Sequence, residues 1–204
     1  RSTLFPYTTL FRSERWVNDK AVSRAEFLAQ FGANDIVHVA GQVEYDAANA
    51  AAGGFVLADG RITATDLGRL PSGSTVPRLM FFTACEAPAA GRSRHTEAAV
   101  FGLATALLAA GVKHFVASLR AVSGASGFQF AHEFYRNLAT GQSVGVAVRE
   151  ARRESVRRLG KTTLTWAAYE LYGDPTSRYV TSRVESAPGA ASVQIGRASC
   201  RERV

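Results

Sequence analysis

Leu79-Met-Phe-Phe82 is wholly apolar and short, with Pro77 before it and Pro88 after it. A run of this length without a polar position cannot be a half-exposed strand, which would alternate. It reads as a strand covered on both faces, the pattern of a parallel sheet between layers. Thr83-Ala84 then carries the chain to Cys85. In open α/β sheets the C-terminal strand ends are where reactive side chains emerge. Cys85 at such an end is either a nucleophile held on rigid scaffold or a small buried hydrophobe, and position alone leaves both open.

The flanking chain repeats the pattern. Asp35-Ile-Val-His-Val-Ala40 is a second buried strand, opening into Gly41-Gln-Val-Glu-Tyr-Asp46, and His114-Phe-Val-Ala-Ser-Leu119 is a third, followed by a loop over Arg120–Gly127. The three are expected to be neighbours in one parallel sheet. Helices are expected at Ala25–Phe31, at Glu97–Ala110 closed by Gly111, from Phe128 to Leu138 stopped by Gly141, and over Val144–Leu159. Phe55–Thr63 has the signal of a hairpin, with Asp59-Gly60 supplying a type I′ turn. Thr65–Leu70 is expected to make a turn or two of helix, Trp166–Tyr172 a last strand halted by Gly173-Asp-Pro175. Strand and helix in this order predict a three-layer α/β/α sandwich with a mostly parallel sheet.

The two ends are set apart. Thr3–Ser13 resembles translated sequencing-adapter sequence, and Ile195–Val204 resembles the same adapter read from the other strand. Residues 1–13 and 195–204 are therefore expected to be artefactual, with 14–181 as the folded domain and 182–194 as a flexible tail. The whole chain has 24 Lys+Arg and 17 Asp+Glu, a formal charge of +7. Without the five arginines and one glutamate of those ends, 19 basic residues face 16 acidic ones, and the charge is +3. So mild an excess gives no argument for nucleic acid. The arginines of Val144–Leu159 alternate with Glu150 and Glu154, as a solvated helix face does. No stretch is long and apolar enough to span a membrane. Cys200 falls in the discarded end, which leaves Cys85 without a partner for an intrachain disulfide, as in a reducing, cytoplasmic setting. No histidine pair has metal-ligand spacing and no glycine-rich phosphate loop follows a strand, so no cofactor and no metal are expected.

Five segments carry a resemblance. Asp35–Asp46, Leu57–Leu67, Thr83–Ala87, Phe115–Leu119 and Trp166–Pro175 resemble, in order and spacing, segments of CHAT domains, caspase-like cysteine peptidases of bacteria often joined to tetratricopeptide repeats. The resemblance covers nearly all of residues 22–176. It implies a caspase-like fold, truncated at its N-terminus because the family's first strand and helix find no counterpart. It implies that Cys85 is the nucleophile, that Gln42 stands where the family has its catalytic histidine, and that Val43 stands where it has the oxyanion glycine. Glutamine takes up no proton at neutral pH, so the general-base step has no agent. A β-branched residue does not adopt the positive φ open to glycine. The expected activity is thus an impaired peptidase or, alternatively, an inactive pseudopeptidase that binds or regulates. The expected partners are a protein or peptide substrate and a tetratricopeptide-repeat region of the parent chain, with neither nucleic acid nor membrane.

Four other positions bear on the missing base. His38 lies in the strand about 13 Å short of position 42 and is expected to be buried and structural. His95 is the candidate to swing in from the polar loop after Cys85. His114 and His132 are expected to be structural.

Overall fold

The computed structural model describes residues 22–44, 46, 49, 52–85, 96–180 and 193–197. Its centre is a five-stranded sheet. β1 (Ile36–Gly41) lies beside β5 (Leu79–Ala84), which lies beside β6 (His114–Ser118), all three parallel. β7 (Tyr169–Gly173) closes one edge antiparallel to β6, and β8 (Val193–Arg197) closes the other, parallel to β1. The expected neighbours are neighbours, in a mixed α/β architecture with a mostly parallel sheet and helices around it.

Every residue of β5 is buried, because the sheet is covered on both faces. Leu79 and Phe81 point to a cluster with Phe130, Phe134 and Tyr169. Its helices are α4 (Gly124–Ala139), α5 (Val144–Leu159) and the short α6 (Thr165–Ala168). Met80 and Phe82 point the other way, to Phe31, Phe55 and Leu103. That layer holds α1 (Arg24–Ala33), α2 (Ala64–Gly68), α3 (Thr96–Ala109) and a second, antiparallel sheet. The small sheet consists of β2 (Val43–Glu44), β3 (Gly54–Leu57) and β4 (Gly60–Thr63).

Local signals explain the ends of these elements. Ser23 and Thr63 each close a capping box, with Glu26 and Asp66 as the reciprocal acids. Gly111 and Gly141, just past α3 and α4, have positive φ and end those helices. On α5 the charge run is matched within itself: Glu150 bonds Arg149 and Arg153, and Glu154 bonds Arg157 and Arg158. Hydrogen bonding from Arg158 holds the Glu154 carboxyl below its usual range.

Three expectations are corrected. The hairpin turns at Ala58-Asp59, one residue early, because Leu57 pairs with Gly60, and Asp59 has no positive φ, so the turn is not type I′. α4 starts at Gly124, inside the expected loop, capped by Ser123. Trp166-Ala-Ala168 forms helix α6 rather than strand, with the indole N–H donating to the Lys161 carbonyl at 3.1 Å. Val193–Arg197 pairs in parallel with Ile36–Ala40. The edge of β1 is a row of backbone groups that needs hydrogen bonds, and a segment beginning Val-Gln-Ile can supply them. Residues 1–13, 181–192 and 198–204 lie outside the described residues, as does most of the polar loop after Cys85.

Candidate active site at the strand ends

The register between β1 and β5 positions the site. Gly41 is opposite Ala84, so the next step brings Gln42 beside Cys85. The Cys85 backbone N–H donates to the Gly41 carbonyl at 2.8 Å, one peptide unit from Gln42. His38 and Thr83 touch on the face of the sheet toward α4, and Gln42 and Cys85 each follow the last residue of their strand.

Cys85 is held from its other side as well. It bridges to Val122, whose N–H donates to the Ala84 carbonyl at 2.9 Å. β6 ends at Ser118, so the Ala84 N–H meets a side chain instead of a strand: it donates to Ser118 Oγ at 2.6 Å. That hydroxyl is fully buried. The Cys85 Sγ is half-buried and lies 3.9 Å from the Thr83 carbonyl oxygen.

Gln42 occupies the single position between β1 and β2, where the chain leaves the main sheet for the small one. Its side chain is exposed, and its carbonyl accepts the Val56 N–H at 3.0 Å. Val43 follows as the first residue of β2, paired with Phe55 and packed against the core. Extended pairing suits a β-branched residue, which is why valine fits here.

The histidines divide. His38 is 6% exposed, its Nε2 lies 3.4 Å from Thr83 Oγ1, and its ring packs on Phe81. Burial pushes its pKa down to about 3, so it is a neutral, structural residue inside the sheet. His114 sits at the N-terminal edge of the sheet, between Tyr179 and the Asp174 carbonyl. His132 packs on Phe128 in α4. His95 falls outside the described residues. Among the described residues, no group of three or more His, Cys, Asp or Glu could hold a metal ion, and no helix is long and apolar enough to cross a membrane.

Three participants are not evident from sequence. Ser118 receives the backbone next to Cys85, and Tyr169 reaches Thr83 Oγ1 at 3.1 Å from β7. Gly127 lets α4 approach: a Cβ there would fall 2.8 Å from Thr83 Cγ2. Their only trace in the sequence is polarity, since Thr83, Ser118 and Tyr169 interrupt apolar runs.

Nucleophilic catalysis at a peptide carbonyl requires a thiol with a base beside it, and of these the strand ends offer the thiol of Cys85. The comparisons agree in kind. No curated protein matches the chain. The family model described as the CHAT domain matches residues 10–174, most of its length. The chain belongs to the CHAT domain family of caspase-like cysteine peptidases.

Proposed function

We propose that the strand ends of β1 and β5 form a cysteine-peptidase site whose nucleophile is Cys85 and whose base is missing, so that peptide-bond hydrolysis is impaired. The observation that supports this reading is the 2.8 Å bond from the Cys85 N–H to the Gly41 carbonyl, because it ties the Cys85 backbone to the residue just before position 42. A histidine at 42 would take the thiol proton and later return it to the leaving amine. Glutamine does neither. Backbone N–H groups near Cys85 would receive the oxyanion, and Val43, tied into β2, supports less freedom there than the glycine of the family.

A second reading is favoured by the same residue. Gln42 is exposed and offers both a donor and an acceptor, which suits a pseudopeptidase that holds a peptide without cutting it. A protein or peptide is the ligand in either case. A tetratricopeptide-repeat region of the parent chain is the candidate neighbour, and a bacterial cytoplasm the candidate setting, on the strength of the resemblance alone.

The test is turnover of a fluorogenic peptide library by the chain, by Gln42→His with Val43→Gly, and by Cys85→Ala. General-base help is worth about a hundredfold to ten-thousandfold, so the double variant should rise clearly above the blank. Turnover by the unaltered chain equal to that of the double variant would overturn the impaired reading. A folded double variant with no turnover favours the binding module.

A further inference from the structure

α3 differs from the other long helices in having no polar face. From Ala98 to Ala109 it carries no charged residue, and its one polar side chain is Thr105. Ala99, Val100, Leu103, Ala104 and Leu107 are buried toward the sheet. The outer side is a stripe of Ala98, Phe101, Thr105, Leu108 and Ala109, at the three-and-four spacing of one helix face. Phe101 is 64% exposed and Leu108 37%. Thr105 does not make the stripe polar, because its hydroxyl donates to the Phe101 carbonyl at 3.0 Å and is satisfied within its own helix. A helix that is apolar all round is normally covered all round. α5 shows the contrast, since its outer side is arginine and glutamate.

The charges at the two ends of the stripe indicate what covers it. Glu97 stands in the first turn of α3 and Lys113 just past its close, and both are exposed. Thr105 lies midway between them, as it lies midway between Phe101 and Ala109. A two-fold axis through Thr105 therefore brings Glu97 of each copy to Lys113 of the other. It also sets Phe101 of each copy against Ala109 of the other, and Leu108 against Gly102, so large residues meet small ones. Within one copy Glu97 reaches Arg120 at 3.6 Å, with both side chains more than half exposed, and so loose a pair opposes the contact little. That pair also places the start of α3 at the edge where β6 ends, whereas Lys113 stands just before β6 begins. Antiparallel packing of two such helices turns the two Cys85 strand ends away from each other.

We propose that the outer face of α3 is the interface of a homodimer, an antiparallel helix pair centred on Thr105 with Glu97 and Lys113 matched across it. One helix pair buries less than a standard interface, so the dimer is a weak one that forms in the micromolar range.

The test is sedimentation velocity of the full chain, reduced, from about 5 to about 500 μM, where the average mass should rise from monomer toward dimer. Phe101→Lys should stay monomeric throughout, with its melting temperature at low concentration unchanged because the side chain it replaces is exposed. Should that variant fail to fold, Leu108→Lys decides in the same way. Register is read by oxidative cross-linking in a background of Cys85→Ala with Cys200→Ser. Helix axes about 8–10 Å apart bring the Cα atoms at the two-fold to about 5 Å, within disulfide reach. Thr105→Cys should therefore cross-link, whereas Ala98→Cys should not, because its two copies lie about 20 Å apart. Glu97→Lys and Lys113→Glu should each weaken association about twofold to fivefold, and the two together should restore it. A chain that stays monomeric overturns the proposal and leaves the face to a segment of a longer parent chain. Cross-linking as fast at position 98 as at position 105, or a dimer that survives Phe101→Lys, overturns it as well.

Discussion

Acid should unfold this protein through His38, and the size of the effect can be worked out. An unfolded histidine titrates near 6.5, whereas the buried His38 ring titrates at about 3. Above pH 6.5 the ring is neutral in both states and stability is unaffected. As pH falls below 6.5 the unfolded chain takes up a proton that the folded chain refuses, so stability declines until pH reaches about 3. The loss is about 2 kcal/mol at pH 5 and about 3 kcal/mol at pH 4. Burial of the ring against Phe81 and Tyr135 is deep enough that solvent screening gives little relief. The assay is urea unfolding by fluorescence at a series of pH values, for the chain and for His38→Gln. Glutamine retains a donor for Thr83 and carries no titratable proton. The other histidines cancel in the difference. The stability gap between the two proteins should change by about 2 kcal/mol from pH 8 to pH 5, in favour of the variant at the acid end. A gap that stays flat would mean that His38 titrates normally in the folded chain, and the reading of its ring as a neutral core residue would fall.

Three further outcomes follow from the packing. Gly54→Ala places a Cβ 2.2 Å from the Ile62 carbonyl oxygen, so backbone must move; a cost of about 3 kcal/mol should lower the melting temperature by about 6–12 °C. Thr63→Ala removes the Oγ1 that accepts the Asp66 N–H, leaves the Thr63 N–H on the Asp66 carboxylate, and should cost about 1 kcal/mol, while Thr63→Ser should leave the melting temperature unchanged. Ser118→Ala strands the buried Ala84 N–H, and calorimetry should show about 1–3 kcal/mol of lost stability together with faster labelling of Cys85 as its strand end loosens.

The sheet was legible because its three parallel strands are mostly apolar runs without the alternation of a half-exposed strand. Their C-terminal ends followed, and with them Cys85 and Gln42. The start of α4 was hidden: Gly124-Ala-Ser-Gly127 has no apolar periodicity, and only the close approach to Thr83 explains why small residues stand there. Trp166-Ala-Ala-Tyr169 offered aromatic and small residues that suit strand or helix equally, and the bond to Lys161 tips it to helix. β8 carries no pattern of its own, since its place depends on an edge formed 157 residues earlier in the chain, at Ile36 for Val193. The contact of Tyr169 with Thr83 could not be read from sequence, because it depends on the antiparallel register of β7 with β6.

Whether residue 42 is the missing base is read most directly from the thiol itself. The iodoacetamide labelling midpoint of Cys85 should be compared between the unaltered chain and Gln42→His with Val43→Gly, with Cys85→Ala as the blank. An imidazole beside the sulfur should bring the midpoint well below that of the unaltered chain, into the range of about 3.5–7.5 seen for cysteines beside a cation. A folded double variant whose midpoint matches the unaltered chain would contradict the account, because a histidine at 42 would then be out of reach of the thiol.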